Sequence, residues 1–483
     1  MAVADEAPFE HLIDAGSLRR APDDLKARDV LGFPGYADLI SAESTDAGSD
    51  ESVVSGTAKI SGHEVEVAAF SFRFFGGSMG EVAGERLARA MERAAERRAP
   101  FVLRTASGGA RMQEGMNALV QMPKVVAARF ALADAHVPFI AVLGDPTTGG
   151  VLASAGALAD YTIAESGATI GFAGPRVVEM VTGTPPGAES HSAAAALGNG
   201  LVDAVVDNEE IGEVVAKVLA ALSPDSPEEI DAPAPPDSND DRDGWDAVET
   251  ARARNRPTAP ELLMGVCPSE VFLRGDRSGS EDPALIAVLG RLLGRRVLAM
   301  ALDRNRAPGP AAYRAARRHL RIAERLQIPV VVLIDTRGAD PSEVSEAGGL
   351  AWEIARLFAA MLVTEVPIVA AVTGEGGSGG ALAFAVGDVL LAYEDSIFSV
   401  IGPEGAATIL WRDPARAPEA ARALKLTAQH LLEFGIADAL LSEPPDPASL
   451  AQALAYHLDR VPRTSGHDLV VTRMKRWRRG GHG

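Results

Sequence analysis

The chain carries the same run of features twice, and that duplication restricts its fold before any motif is considered. Residues 98–206 hold an apolar strand-like run, a glycine pair, a helical pattern, a second apolar run ending in glycines, and a closing Ile-Gly-Phe-Ala-Gly-Pro. Residues 326–442 repeat that order. The first copy reads FVLRTASGGAR, VPFIAVLGDPTTGGVLASA and DYTIAESGATIGFAGPRV. The second reads VVVLIDTRGA, VPIVAAVTGEGGSGGALAFA and DVLLAYEDSIFSVIGPEGA. In each copy glycines fall at the two points where a strand gives way to a helix. Apolar runs ended by small residues and alternating with helical patterns predict an α/β fold with largely parallel pairing.

A length of 483 residues allows two to four domains, and the duplication selects two large ones. The formal net charge of -20 excludes a global nucleic-acid footprint. Cys267 is the single cysteine, which excludes an internal disulfide and a zinc site built from several cysteines, and fits a reducing compartment. The start, MAVADEAPFEHLIDAG, lacks the basic and apolar regions of a signal peptide. No apolar run reaches the roughly 18 residues of a membrane span. A cytoplasmic protein is expected.

The first domain is assigned to residues 1–222. Within it, residues 53–72 alternate apolar and polar side chains around a Ser-Gly and predict a β-hairpin. A helix follows, from the spacing of Val82, Leu87, Ala90 and Met91. Residues 223–250 read as an acidic Pro/Asp-rich linker, too poor in large apolar groups to offset its ordering entropy. The second domain is assigned to 251–462. Residues 463–483, containing RMKRWRRGGHG, read as a basic, solvated tail.

The glycines carry the chemistry. At Ser107-Gly108-Gly109-Ala110-Arg111 a strand stops and a helix begins. The first helical amides there lack internal partners, and the helix dipole points its positive end at them. Gly149-Gly150, at the next strand end, offers a second donor. Two amides converging on one carbonyl oxygen form an oxyanion hole. The second copy offers the same pair at Gly338-Ala339 and Gly379-Gly380-Ala381. Two such holes suit a reaction that passes through two enolates. Glycine pairs also mark turns and close packing, and GEGGSGG lacks the Gly-Lys-Ser/Thr of a phosphate loop; the paired, duplicated placement favours chemistry. No His-Glu-x-x-His, Ser-His-Asp order or carboxylate dyad is present. Asp145, Asp335 and Glu375 read as caps or ion-pair partners. Arg111 and Arg176 are candidates for phosphates or carboxylates, with an ion pair the plainer reading. His191 reads as a solvated helix start. The missing acid/base fits a mechanism in which substrate or cofactor provides the base and the protein provides amides and positioning.

The segments SGGARMQE (107–114), DPTTGGV (145–151), IGFAGPRV (170–177) and FFGGSMG (74–80) resemble the β subunit of the acetyl-CoA carboxylase carboxyltransferase. The segments GEGGSGGALA (374–383), SVIGPEGAATILW (399–411) and LTAQHLLEFGIADALL (426–441) resemble its α subunit. The chain is similar to a β–α fusion over about residues 28–445. The resemblance implies two tandem crotonase-like (ClpP/crotonase) ββα-spiral domains. It implies transfer of a carboxyl group from carboxybiotin to the α-carbon of an acyl-CoA, most simply acetyl-CoA, with propionyl-CoA next. Gly108 and Gly109, helped by Gly150, would stabilise the thioester enolate. Ser107, Ala110, Arg111, Gly149, Gly171, Phe172 and Arg176 would line the acyl-CoA site. Gly380 and Ala381, with Gly338 and Ala339, would polarise the biotin ureido carbonyl. Gly379, Gly402, Pro403 and Glu404 would contact biotin. The released biotin would take the α-proton, which accounts for the missing side-chain base. No metal is expected. A biotin carboxyl carrier protein and a biotin carboxylase are expected as separate partners. The chain is expected to form a homodimer or larger ring, with sites where the N-domain of one protomer meets the C-domain of another.

Two departures stand out. The four-cysteine zinc ribbon common in the β subunit has no counterpart in a chain with one cysteine. Where the α subunit reads Asp-Thr-Pro-Gly-Ala-Tyr-Pro-Gly, this chain has Asp335-Thr336-Arg337-Gly338-Ala339-Asp340-Pro341-Ser342, beside the implied biotin pocket. A biotin-independent malonyl-thioester decarboxylase would use only the first glycine set, and the altered loop favours it. A non-catalytic structural subunit of a carboxylase complex is the third reading.

Overall fold

The computed structural model describes residues 7–479 except 188, 234–235, 237–241 and 463. They form two compact units that part between Ala220 and Ala221. In the first, the strands are β1 (Arg19–Arg20), β2 (Val53–Ile60), β3 (His63–Phe70), β4 (Phe101–Ser107), β5 (Phe139–Thr148), β6 (Tyr161–Glu165), β7 (Ile170–Gly171) and β8 (Ala204–Val206). They lie in the order β1-β2-β3-β4-β5-β6-β8, with β7 also on β5. The expected hairpin is β2–β3, turning at Ser61-Gly62 with both residues at positive φ. That backbone twist matches the twist of the flanking strands. From β3 onward every pairing is parallel. Such pairing needs helical crossovers, which α1 (Glu81–Arg97) and α2 (Gln121–Asp134) supply. Helix α1 puts Leu87, Ala90 and Met91 into the same core as Phe101 and Phe139, whose rings pair at 5.3 Å. Two short helices follow, α3 (Gly149–Ser154) and α4 (Pro175–Thr182).

The second unit repeats the plan, preceded by helix α5 (Gly244–Ala251). Its strands are β9 (Leu285–Leu292), β10 (Arg295–Leu302), β11 (Val330–Thr336), β12 (Ile368–Gly377), β13 (Val389–Tyr393), β14 (Ile397–Ser399) and β15 (Ala439–Leu441). The order is β15-β13-β12-β11-β10-β9, with β14 on β12. The hairpin β9–β10 is antiparallel and all later pairs are parallel. Helices α6 (Pro310–Leu326), α7 (Ser378–Ala385), α8 (Pro403–Trp411) and α9 (Gly466–Arg479) complete the framework. Both sheets have a register shift at the same place, between Thr105 and Ser107 and between Ile334 and Thr336. In each copy the glycine turn follows directly after the shift.

Two stretches depart from the sequence reading. In the expected linker, Ser226 N donates to Gly294 O (3.0 Å), Glu228 N to Leu293 O (3.2 Å), and Asp225 pairs with Arg296 (3.1 Å). These residues follow the β9–β10 hairpin, held by backbone bonds and arginines where apolar burial would not suffice. The same stretch ends in α5, capped by Asp243 on Trp245 N (2.8 Å), which buries Ala247, Val248 and Ala251 against Ile397 and Leu426. Its residues 234–235 and 237–241 lie outside the described ones. The expected tail is largely helix α9. Its Arg473 is buried, pairs with Asp388 through Nε (2.9 Å) and Nη2 (2.7 Å), and donates to the carbonyls of Met361, Thr364 and Val366. Only residues 463 and 480–483 of that tail lie outside the described ones.

Candidate functional site

The first glycine turn leaves β4 at Ser107. Gly109 takes φ 113°, and its N–H donates to Ser107 Oγ (3.0 Å). Gly108 N–H donates to Gly76 O (3.0 Å). Both amides, expected as oxyanion donors, are therefore occupied inside the fold. The amide left over is that of Ala110, which makes no hydrogen bond among the described residues. Its neighbours are pinned: Met79 N donates to Gly109 O (2.8 Å) and Arg111 N to Met79 O (3.0 Å). At the end of β5, Gly149 N donates to Phe172 O (2.9 Å). Gly150 is the second residue of α3, so its amide has no partner one turn back. The two turns touch: a Cβ on Gly109 would lie 3.4 Å from Gly149 Cα and 3.6 Å from Gly150 N. Ala110 and Gly150 are thus the donors the first turn pair presents.

The second turn repeats this with one shift in assignment. Gly338 takes φ 128° and donates to Thr336 Oγ1 (3.3 Å), which leaves the Ala339 amide. The register pairs Ser107 with Thr147 and Thr336 with Gly376. Counting on from there, Gly150 corresponds to Gly379. Gly149 and Ser378, the preceding pair, both take φ 60°. A Cβ on Gly379 would meet nothing within 4 Å. Gly380 and Ala381 are buried, and a Cβ on Gly380 would sit 2.8 Å from both Ala339 N and the Tyr313 hydroxyl. Gly380 is therefore a close-packing glycine, and Gly379 stands at the position equivalent to Gly150, in the same first helical turn as Gly380 and Ala381.

Arg111 does not face a ligand. Its guanidinium is wholly buried between Glu51 (Nη1, 3.0 Å, with a second contact from Nη2) and Glu114 (3.2 Å). It also donates to Ser78 O (2.8 Å) and lies 5.2 Å from the Phe74 and Phe75 ring centres. Burial works against its charge and Glu51 outweighs that, so it stays protonated. Tyr36 and Glu114 complete the cluster (2.7 Å). Arg111 braces the first turn from behind. Arg176, by contrast, is exposed at the start of α4 with no partner among the described residues, near Phe172, which is 69% exposed. His191 is not a free helix start: its imidazole lies against Gly171, where a Cβ would approach to 2.5 Å.

Around the second turn the carboxylates are engaged. Gly402 is the N-cap of α8 and Pro403 is buried beneath it. Glu404 accepts from Arg252 Nη1 (2.7 Å), and Glu375 accepts from Arg252 Nε and Nη2 (2.7 Å each). Arg337, the departure from the family loop, has its Nε 3.8 Å from Glu375 and is largely exposed. Asp335 is fully buried. Burial pushes its carboxyl up to about 6, against the Glu375 amide that it accepts (3.0 Å) and the nearby Arg304 and Arg256. A cavity of about 310 Å³ opens beside Gly379, lined by Leu382, Leu390, Phe398, Val400, Leu431 and Ile436 among others. Its apolar wall and open amide suit a neutral ring bearing an alkyl chain. No cluster of three or more potential metal ligands exists among the described residues. Sequence reading missed Arg252, whose partners lie 123 and 152 residues away, and missed the Tyr36–Glu51–Glu114 brace. Neither has a local signal.

Residues 239–481 match the family described as acetyl co-enzyme A carboxylase carboxyltransferase-like. A curated relative from Salinispora tropica, the acetyl-coenzyme A carboxylase carboxyl transferase subunits beta/alpha, is 40% identical over 98% of this chain and 90% of its own. The probable biotin-dependent acyl-coenzyme A carboxylase beta3 subunit of Mycobacterium tuberculosis is 36% identical over 92% of each chain. Among solved structures, the transcarboxylase 12S hexamer assembly with methylmalonyl-coenzyme A and methylmalonic acid bound superposes with a TM-score of 0.76 at 25% identity, covering 95% of this chain and 91% of that one. A single-chain, multi-domain long-chain acyl-CoA carboxylase gives 0.71 at 20% identity, over 93% of this chain and 45% of that one. The fold is the pair of crotonase-type spirals that the motifs resemble.

Proposed function

The chain belongs to the carboxyltransferase family of biotin-dependent acyl-CoA carboxylases, with β-type and α-type halves in one polypeptide, and from that premise we propose that it carboxylates a short acyl-CoA at its α-carbon. The observation that carries the reading is the matched pair of glycine turns, Gly109 at φ 113° and Gly338 at φ 128°. Each leaves one turn amide and one helix-start amide open. Ala110 and Gly150 would receive the thioester oxygen in the first unit, with Arg176 as a partner for a CoA phosphate. Ala339 and Gly379 would receive the ureido oxygen of biotin in the second, whose apolar cavity would take the rest of the ring. Carboxybiotin supplies the carboxyl group and, after its release, a basic nitrogen for the α-proton. The chain's own work is to hold both carbonyls, to favour the oxyanion form of each, and to keep the reacting atoms in line. Glu114, Glu375 and Glu404 are all tied to arginines, which supports a mechanism without a side-chain base.

The carboxyl donor would arrive on a biotin carrier loaded by a separate biotin carboxylase, and a reducing, cytoplasmic setting goes with this reading. Exposed apolar residues flank both turns: Met112, Met116 and Leu119 in the first unit, Val400, Ile409 and Leu410 in the second. A second copy of the chain would cover them; the similar transcarboxylase 12S forms a hexamer assembly. The test is incubation of the full-length chain with malonyl-CoA and free biotin or biotinylated carrier, following CO2 and carboxybiotin separately. Biotin-dependent turnover is expected, with acetyl-CoA preferred over propionyl-CoA in the forward direction. Decarboxylation indifferent to biotin, or silence with stable complex formation, refutes the proposal in favour of a decarboxylase or a structural subunit.

A further inference from the structure

The second glycine turn has a brace that the first lacks. Arg252 directly follows α5, as its C-cap residue. Its Nε and Nη2 donate to Glu375 Oε2 and Oε1, both at 2.7 Å, and its Nη1 donates to Glu404 Oε1 at 2.7 Å. Glu375 lies on β12, four residues before Gly379. Glu404 lies in the first turn of α8. Arg337, whose Nε is 3.8 Å from Glu375, immediately precedes Gly338. One guanidinium therefore ties β12, which leads into the Gly379 turn, to the first turn of α8, and through Glu375 it reaches the segment at Arg337. Its bidentate geometry restricts rotation as well as distance. The anchor is firm, since α5 buries Ala247, Val248 and Ala251 against β14 and the helix Ala417–Ala423.

The duplicate serves as an internal control. Counting from the equivalent pairs, Pro146 stands where Glu375 stands, and Arg176 stands where Glu404 stands. No guanidinium can bridge those two. Helix α4 accordingly buries none of its residues, whereas its counterpart α8 buries Pro403, Ala406 and Ala407.

We propose that Arg252 is a positioning residue: it clamps the β12–α7 turn to α8 and so holds the Gly379 amide against the carbonyl bound in the second unit. The site's function rests on the carboxyl-transfer reading; the clamp itself does not. Loss of the clamp displaces a donor without removing it, and a displacement of about 1 Å costs on the order of 10²-fold in rate.

In the full-length chain, Arg252→Ala is expected to lower kcat for biotin-dependent malonyl-CoA decarboxylation about 10²-fold, with KM for malonyl-CoA unchanged. Added guanidinium ion is expected to restore part of the rate, and Arg252→Lys, which makes single contacts, to fall between the two. Hydrogen exchange supplies the readout that is independent of turnover. Amides of 375–382 and 402–411 are expected to exchange faster in Arg252→Ala, and those of 107–111 and 149–154 to stay as in the wild type. Unchanged exchange at 375–382 and 402–411, or an equal rise in both units, overturns the clamp. A wild-type chain without biotin-dependent turnover defeats the carboxyl-transfer reading, and exchange then decides the clamp alone.

Discussion

Gly109 and Gly338 are the residues on which each turn depends. At φ 113° and 128° they occupy backbone that L side chains rarely adopt. At Gly109 a Cβ would also press on Gly149 Cα at 3.4 Å. Gly109→Ala is expected to shift the Ala110 amide and lower kcat with acyl-CoA about 10²-fold or more, read by steady-state kinetics beside an unfolding curve. A folded variant with wild-type kcat removes the first oxyanion assignment. Asp335 gives a pH prediction. Its carboxyl is raised from 3.8 to about 6 by burial, so between those values the native chain keeps a proton that the unfolded chain has lost. Its contribution to stability therefore falls as pH rises through that window and is lowest above it. Asp335→Asn keeps an acceptor for the Glu375 amide. It is expected to stabilise the chain on the order of 1–3 kcal/mol near neutral pH and to lose that advantage near pH 4. Denaturant unfolding at both pH values checks the sign.

Helix α9 and helix α5 show how elements form where composition argues against them. Neither has the apolar content of a core helix. Each docks through a few well-placed groups, Arg473 in one and three small apolar residues in the other. Removing one partner of a buried ion pair typically costs about 3–5 kcal/mol. Arg473→Ala is expected to destabilise the second unit by that order in denaturant unfolding, because Asp388 and three carbonyls would lose their donor. Arg478→Ala, on the exposed side of the same helix, is expected to stay within about 0.5 kcal/mol of the wild type. Equal effects would mean that the helix is held by its general basicity, against the geometry seen.

At the scale of the molecule, under the proposed function, the duplication divides one reaction between two similar units. Each keeps the turn and the helix-start amide, and each has changed what surrounds them. The first leaves Arg176 exposed at α4. The second puts Glu404 there and ties it to Arg252. The exposed apolar residues beside both turns make self-association the expected state in solution. Light scattering should give a mass that is a multiple of the single chain. Ile409→Asp, at a residue 71% exposed, is expected to shift that mass toward the monomer and to lower turnover without unfolding the chain. A monomeric wild type with full activity would refute the shared-site arrangement.

Much of this was written locally. Period-two alternation over 53–72, helical spacing from Val82 to Met91, and two runs ending in glycines are nearest-neighbour patterns, and they determined the first hairpin, the parallel sheets, the two-unit plan and the positions of both turns. Motif length was enough to identify the family. Which amides stay free was decided only by the fold: Gly108 donates to Gly76 O, and the turn geometry aims Gly109 and Gly338 at hydroxyls two residues back. The fold also decided that Arg111 is a brace, that Gly380 is packed closely against Ala339, and that an arginine just after α5 closes on carboxylates more than a hundred residues away. Hydrogen-bond partners and ion pairs of that kind are set by distance in space, and spacing along the chain carries no record of them.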